Sequence, residues 1–237
     1  MLLTQARTEF VLTLRNAEQV LLTMLIPLGL LVGLTALTVL PVPSPRVDNV
    51  TPRILALAVM STAFTGQAIA LGFDRRYGVL KRLAATALPR WSLVTGRMLA
   101  VLGVVAVQLV VLGVVAGALG WRPEPSGVAP AAVLILAGTA AFGALGVLLG
   151  GVLRAEVVLA VANTVWLLLV VAGGIVLSVQ TLPGPLAVLA AALPSGALAE
   201  GLHAALVQGA TPWAALGILL AWAAAAGALA ARTLRLS

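Results

Sequence analysis

What most constrains this chain is a succession of long apolar stretches without one ionisable side chain. Residues 20–40, 54–73, 98–119, 131–153, 157–179 and 213–231 contain no Asp, Glu, Lys, Arg or His. About 20 apolar residues is the length a helix needs to cross the hydrocarbon core, where only helices and closed barrels satisfy their own backbone. The stretches therefore predict an all-α polytopic membrane protein with six transmembrane helices. Apolar residues make up 62% of the chain and charged ones 9%, against roughly 45–50% and 25% in soluble domains. Little chain remains for a soluble catalytic domain, so residues 1–237 are read as one transmembrane domain.

The charges lie between these stretches and orient them. With both termini inside, Arg7, Arg15, Arg75, Arg76, Lys81, Arg82, Arg90, Arg97, Arg154, Arg232 and Arg235 are cytoplasmic, eleven of the fourteen basic residues. Only Arg46, Arg53 and Arg122 fall outside, which satisfies the positive-inside rule. The net charge of +7 is thus explained by topology, and no nucleic-acid partner is expected. Residues 1–19 alternate polar and apolar side chains at helical spacing, Leu3, Phe10 and Leu14 on one side, and predict an interfacial elbow helix on membrane lipid. Glycines at 138, 143, 146, 150 and 151 let backbones approach closely, which puts the fourth span at the centre of the bundle.

Between the second and third spans, residues 73–90 hold five basic side chains. As a helix they place Leu80, Leu83, Ala84, Ala87 and Leu88 on one stripe, with Arg75, Arg76, Lys81 and Arg82 largely elsewhere. Asp74 can cap such a helix, Pro89 ends it, and Gly78 weakens it or admits a close neighbour. A loop that only set topology needs none of this, so the segment reads as a docking element.

The pattern Asp74-Arg75-Arg76-x-Gly78-x-Leu80-Lys81-x-Leu83-x-x-Thr86-x-Leu88-Pro89-Arg90, followed by Leu93-x-x-Gly96-Arg97, resembles the first cytoplasmic loop of type-2 ABC transporter permeases. Ala87 stands where many members carry proline. The resemblance implies that residues 74–90 form a coupling helix that fits a groove on a separate ATPase. It further implies two ATPase copies that bind ATP and Mg, and a second permease chain, identical or similar. The expected place is the inner membrane of a bacterium; one Lys against thirteen Arg, with abundant Ala, Val, Leu and Gly, fits a GC-rich bacterial gene.

The chemistry missing from the sequence agrees with a separate energy source. No Gly-x-x-x-x-Gly-Lys-[Ser/Thr] motif occurs, and the uncharged spans offer no carboxylate for an ion-driven pump. Cysteine is absent, so thiolate chemistry and cysteine metal sites are excluded; no metal site and no cofactor are expected on this chain. Gln67, Gln108 and Asn163 are read as helix-packing amides or as the lining of a substrate path, and a path without fixed charge suits a drug, lipid or natural product. The long connection at 180–212 contains two apolar runs too short to span, which predict external re-entrant helices before the last span. Glu200 and His203 share a face of the second and are candidates for an external gate. The expectation is export of a hydrophobic compound. Rival readings are a permease subunit for haem or cofactor assembly, a lipid-modifying membrane enzyme acting through Glu200 and His203, and a secondary transporter, which lacks any obvious repeat of three-span halves.

Overall fold

Hydrogen bonding within the segment is the only way for this backbone to enter lipid, and every regular element described is a helix. The computed structural model describes residues 17–37, 43–79, 90–175 and 184–233, with no account of the side chains of 17–22 and 90–95. In chain order these are α1 (Ala17–Ala36), α2 (Arg46–Arg76), α3 (Arg90–Ala118), α4 (Val128–Val152), α5 (Ala155–Ala172), α6 (Gly184–Ala192), α7 (Pro194–Gln208) and α8 (Trp213–Thr233). Among the described residues five helices are long and apolar enough to cross a membrane, and the bent pair α6–α7 brings the total to six if it counts as one span. Helix α1 is apolar as well, with Pro27 inside it. The elbow helix expected over residues 1–19 lies almost wholly outside the described residues.

Helix α2 starts at Arg46, two turns before the span expected at residue 54. Pro45 is its N-cap, and Asp48 sits in the first turn, where the helix dipole favours a carboxylate. Arg46 folds back onto α1: its Nε donates to the Leu34 carbonyl at 3.2 Å and an Nη to Leu34 and Leu37 at 2.9 and 2.6 Å. Those carbonyls lie at the C-terminal end of α1, where a helix runs out of its own donors, so Arg46 acts as a cap supplied from the next helix. Midway, residues Ser61–Gly66 form a π-helical turn, after which α-helix resumes at Gln67 and ends at Arg76.

Packing around α2 depends on glycines of α4. A Cβ at Gly146 would lie 2.7 Å from the Phe64 carbonyl oxygen, and one at Gly150 would lie 2.5 Å from that of Ala68. Only hydrogen fits there, so the two backbones touch. Further up, Gly138 meets Leu198 of α7 and Gly143 meets Met98 of α3, and α8 packs along α4. Helix α4 is therefore central, as its glycines predict. Helix α2 shares the centre with it, buried on nearly all sides, and the walls are α3, α5 and α8, which keep wide apolar faces outward.

The fifth helix ends at Ala172, earlier than the expected residue 179, because Gly173 and Gly174 follow and Gly174 takes a left-handed φ of 73°. The two short helices expected in 180–212 are present as α6 and α7, bent by 90° at Leu193. Trp222 of α8 donates its indole N–H to the Ala192 carbonyl at 2.9 Å, and the Glu124 amide donates to the Leu206 carbonyl at 2.8 Å. The bend and its return are thus pinned to α8 and to the turn before α4. Gly146→Leu is expected to cost about 1–3 kcal/mol by overpacking and to lower the thermal midpoint in detergent. Gly113→Leu on α3, where a Cβ meets nothing within 4 Å, should leave that midpoint unchanged.

Candidate functional site

Three consecutive side chains at the C-terminal end of α2 reach three different helices. Asp74 accepts from Arg97 of α3, Oδ2 to Nη1 at 2.7 Å. Arg75 donates to the Gly150 and Leu153 carbonyls at 3.1 and 3.3 Å, the unsatisfied end of α4. Arg76 pairs with Glu156 in the first turn of α5. The Arg97 guanidinium uses a second edge as well, its Nε donating to Gln67 Oε1 at 2.7 Å. One arginine thus ties two residues of α2, seven positions apart on the same side, to the start of α3.

These contacts differ in strength for a simple reason. The Asp74 and Arg97 side chains retain 32% and 17% of their exposure, whereas Arg76 and Glu156 retain 50% and 62%. Solvent screens the second pair, which contributes on the order of 0–1 kcal/mol. The half-buried Arg97 fork, bonded to both a carboxylate and an amide, is the contact that holds α2 to α3.

The structure revises the start of the docking segment. Asp74 is not an N-cap: it lies inside α2, which runs to Arg76 with Tyr77 as its cap. Gly78 then takes a left-handed φ of 67° with nothing within 4 Å of a Cβ, the conformation that ends a helix at a glycine. Hence Asp74, Arg75 and Arg76 belong to the span that feeds the segment, and Gly78 marks the break. Leu80, Lys81, Leu83, Thr86, Leu88 and Pro89 lie outside the described residues. Arg90 is the first residue of α3, so that helix begins directly after Pro89 and extends eight residues before the span expected at 98.

The three amides read as a substrate path are not brought together within one chain. Gln67 is buried against Arg97. Gln108 is buried higher up, where Oε1 accepts from Thr62 at 2.7 Å and Nε2 donates to the Thr23 carbonyl at 3.3 Å. Asn163 is exposed on the outer face of α5, beside exposed Thr164.

At the N-terminal end of α2, two rungs join it to α7. His203 Nε2 lies 2.9 Å from Asn49 Oδ1, and Arg53 Nη2 lies 3.7 Å from Glu200 Oε1. Asn49 and Arg53 are one turn apart on α2, and Glu200 and His203 are one turn apart on α7, so the pairs stack. Both residues read as a gate or as enzyme groups are therefore engaged in holding the re-entrant pair against α2. Sequence reasoning missed Arg97, Glu156, Asn49 and Arg53 as partners. The available signal was opposite charge at span ends: Arg97 opens the third span, Glu156 the fifth, and Arg53 directly precedes the second.

The family description ABC-2 type transporter matches residues 2–207. The chain therefore belongs to the ABC-2 type transporter family and is a multi-pass transmembrane permease component of an ABC transporter, a family whose members work with an ATPase subunit. No curated protein matches it. Arg97→Ala strands a carboxylate and an amide at the membrane boundary and is expected to destabilise the purified chain by about 2–3 kcal/mol. Arg76→Ala should cost under about 1 kcal/mol, with thermal unfolding in detergent comparing the two.

Proposed function

We propose that this permease exports a hydrophobic or amphipathic compound, a drug, lipid or natural product, using ATP hydrolysed on a separate subunit that docks between α2 and α3. The observation that carries this reading is the triple fastening at Asp74, Arg75 and Arg76. A load on the segment after Gly78 enters α2, and through these side chains reaches α3, α4 and α5 together. The amphipathic pattern of Leu80, Lys81, Leu83, Thr86, Leu88, Pro89 and Arg90 supplies the docking surface, with the apolar stripe against the ATPase groove. ATP and Mg belong to the partner, in two copies.

The cargo class follows from charge. Among the described residues the buried polar side chains, Thr51, Thr62, Gln67, Gln108, Thr139 and Ser195, are neutral, which suits an uncharged cargo better than an ion. Asn163 and Thr164 are polar groups on an outward apolar face. An amide facing lipid is unfavourable, and a second permease chain enclosing the cargo between the two copies would give Asn163 a polar or cargo-facing environment. Outside, α6 and α7 form the lid, latched by the Glu200 and His203 rungs, and the export direction takes cargo from the bacterial inner membrane past that latch.

Leu83→Asp places a charge on the docking stripe. The expected outcome is loss of ATP hydrolysis by the purified transporter by at least about 100-fold, because burying an unpaired carboxylate opposes docking, while insertion of the spans is unchanged by protease mapping. Wild-type hydrolysis in that variant would refute docking at this segment.

A further inference from the structure

A helix that carried load as a rigid rod would run unbroken, and α2 does not. Its two α-helical parts, Arg46–Met60 and Gln67–Arg76, are separated by the π turn Ser61–Gly66 in mid-span. A π turn bonds each N–H five residues back, with poorer geometry than the α ladder, and such turns are common causes of helix kinks. We propose that Ser61–Gly66 is the hinge at which α2 divides into an external arm held by α7 and a cytoplasmic arm that moves with the docking segment. The proposal rests on the docking reading above and adds where the motion is taken up.

Three observations point to that joint. First, the arms are anchored to different things: the external arm by Arg46, Asn49 and Arg53 to α1 and α7, the cytoplasmic arm by Gln67, Asp74, Arg75 and Arg76 to α3, α4 and α5. Second, the turn itself is tethered as a pivot. Ser61 Oγ donates to the Leu57 carbonyl at 2.7 Å and accepts from Trp166 Nε1 of α5 at 2.9 Å, and Thr62 donates to Gln108 of α3, which reaches on to α1. Behind it, Gly146 and Gly150 of α4 lie against the Phe64 and Ala68 carbonyls, with the Gln67 and Leu71 side chains beside them, so the lower arm is held to α4 from the π turn downwards.

Third, one hydroxyl of the π turn has no hydrogen-bond partner, as is also true of Thr35 in α1 and Ser195 in α7. Thr51, Ser61, Thr139, Thr164 and Thr233 each donate to the carbonyl four residues back, at 2.7–2.9 Å. The Thr65 hydroxyl is buried and makes no hydrogen bond; its carbonyl four residues back is that of Ser61, in the widened turn. Tightening the turn towards α geometry brings that carbonyl within reach. Thr65 is thus a positioning residue, satisfied in the moved state and unsatisfied in this one.

The chain contains no cysteine, so introduced pairs are its sole labelling sites, and the complex without them gives the background from the ATPase. The permease, purified with its co-purifying ATPase, is labelled at Asp48→Cys with Val133→Cys for the external arm, and at Tyr77→Cys with Leu229→Cys for the cytoplasmic arm, Leu229 being an exposed residue of α8, which none of the three fastenings reaches. Electron–electron distances are compared without nucleotide and with Mg, ATP and orthovanadate. The hinge predicts a shift of more than about 2 Å in the cytoplasmic pair and none in the external pair. Both pairs shifting together, or neither shifting in a complex that hydrolyses ATP, would overturn the hinge while leaving docking intact. If no ATPase co-purifies, docking fails and the hinge with it. Thr65→Val should reduce the shifted population about five-fold, the worth of one hydrogen bond, with an unchanged unfolding midpoint, and Thr65→Ser should restore it. A wild-type shift in Thr65→Val would overturn the role given to that hydroxyl.

Discussion

The contact on which the rest of this structure depends is the backbone-to-backbone approach of α4 to α2 at Gly146 and Gly150. Between helices in lipid there is no hydrophobic drive to associate, so close van der Waals packing has to supply it, and glycine permits the closest approach. Once α4 lies against α2, its other glycines set the distances to α3 and α7, and α8 fills the remaining side. The same contact brings the open carbonyls of Gly150 and Leu153 within reach of Arg75, so the packing that builds the core also assembles the cluster at Asp74, Arg75 and Arg76.

Charge in this chain sits where it does mechanical work. Arg46 caps the end of α1, Arg53 joins α2 to the re-entrant pair, and Arg97 joins α2 to α3. Each is half-buried at a span end, where a guanidinium can bond several acceptors while its stem covers apolar surface. The membership of the ABC-2 type transporter family gives these ties a purpose. Asp74, Arg75 and Arg76 fasten one end of α2 to three other helices in three consecutive residues, which is what the proposed docking after Gly78 requires.

Much of the architecture was legible because hydropathy decides it. The uncharged stretches from residue 98 onward became α3, α4, α5 and α8, the short apolar runs became the bent pair, and the glycines of α4 marked the centre. Helix α2 was read less well. Its first two turns carry Arg46, Asp48 and Arg53, which look like loop until partners far along the chain are known; Glu200 is one of them. Asp74 looked like a cap because Asp before a helical pattern usually is one, but an arginine on the next helix claimed it. The π turn had no sequence signature, since Ser-Thr-Ala-Phe-Thr-Gly suits an α-helix as well. Tertiary partners, not local preference, decide such positions.

The central claim is that a separate ATPase works this bundle through the segment between α2 and α3. Native mass spectrometry of the gently solubilised complex, tagged on this chain and purified from its own host, tests it most directly. The account predicts a particle with two permease chains and two copies of an ATPase. This chain alone, or with a partner that hydrolyses no nucleotide, would contradict it.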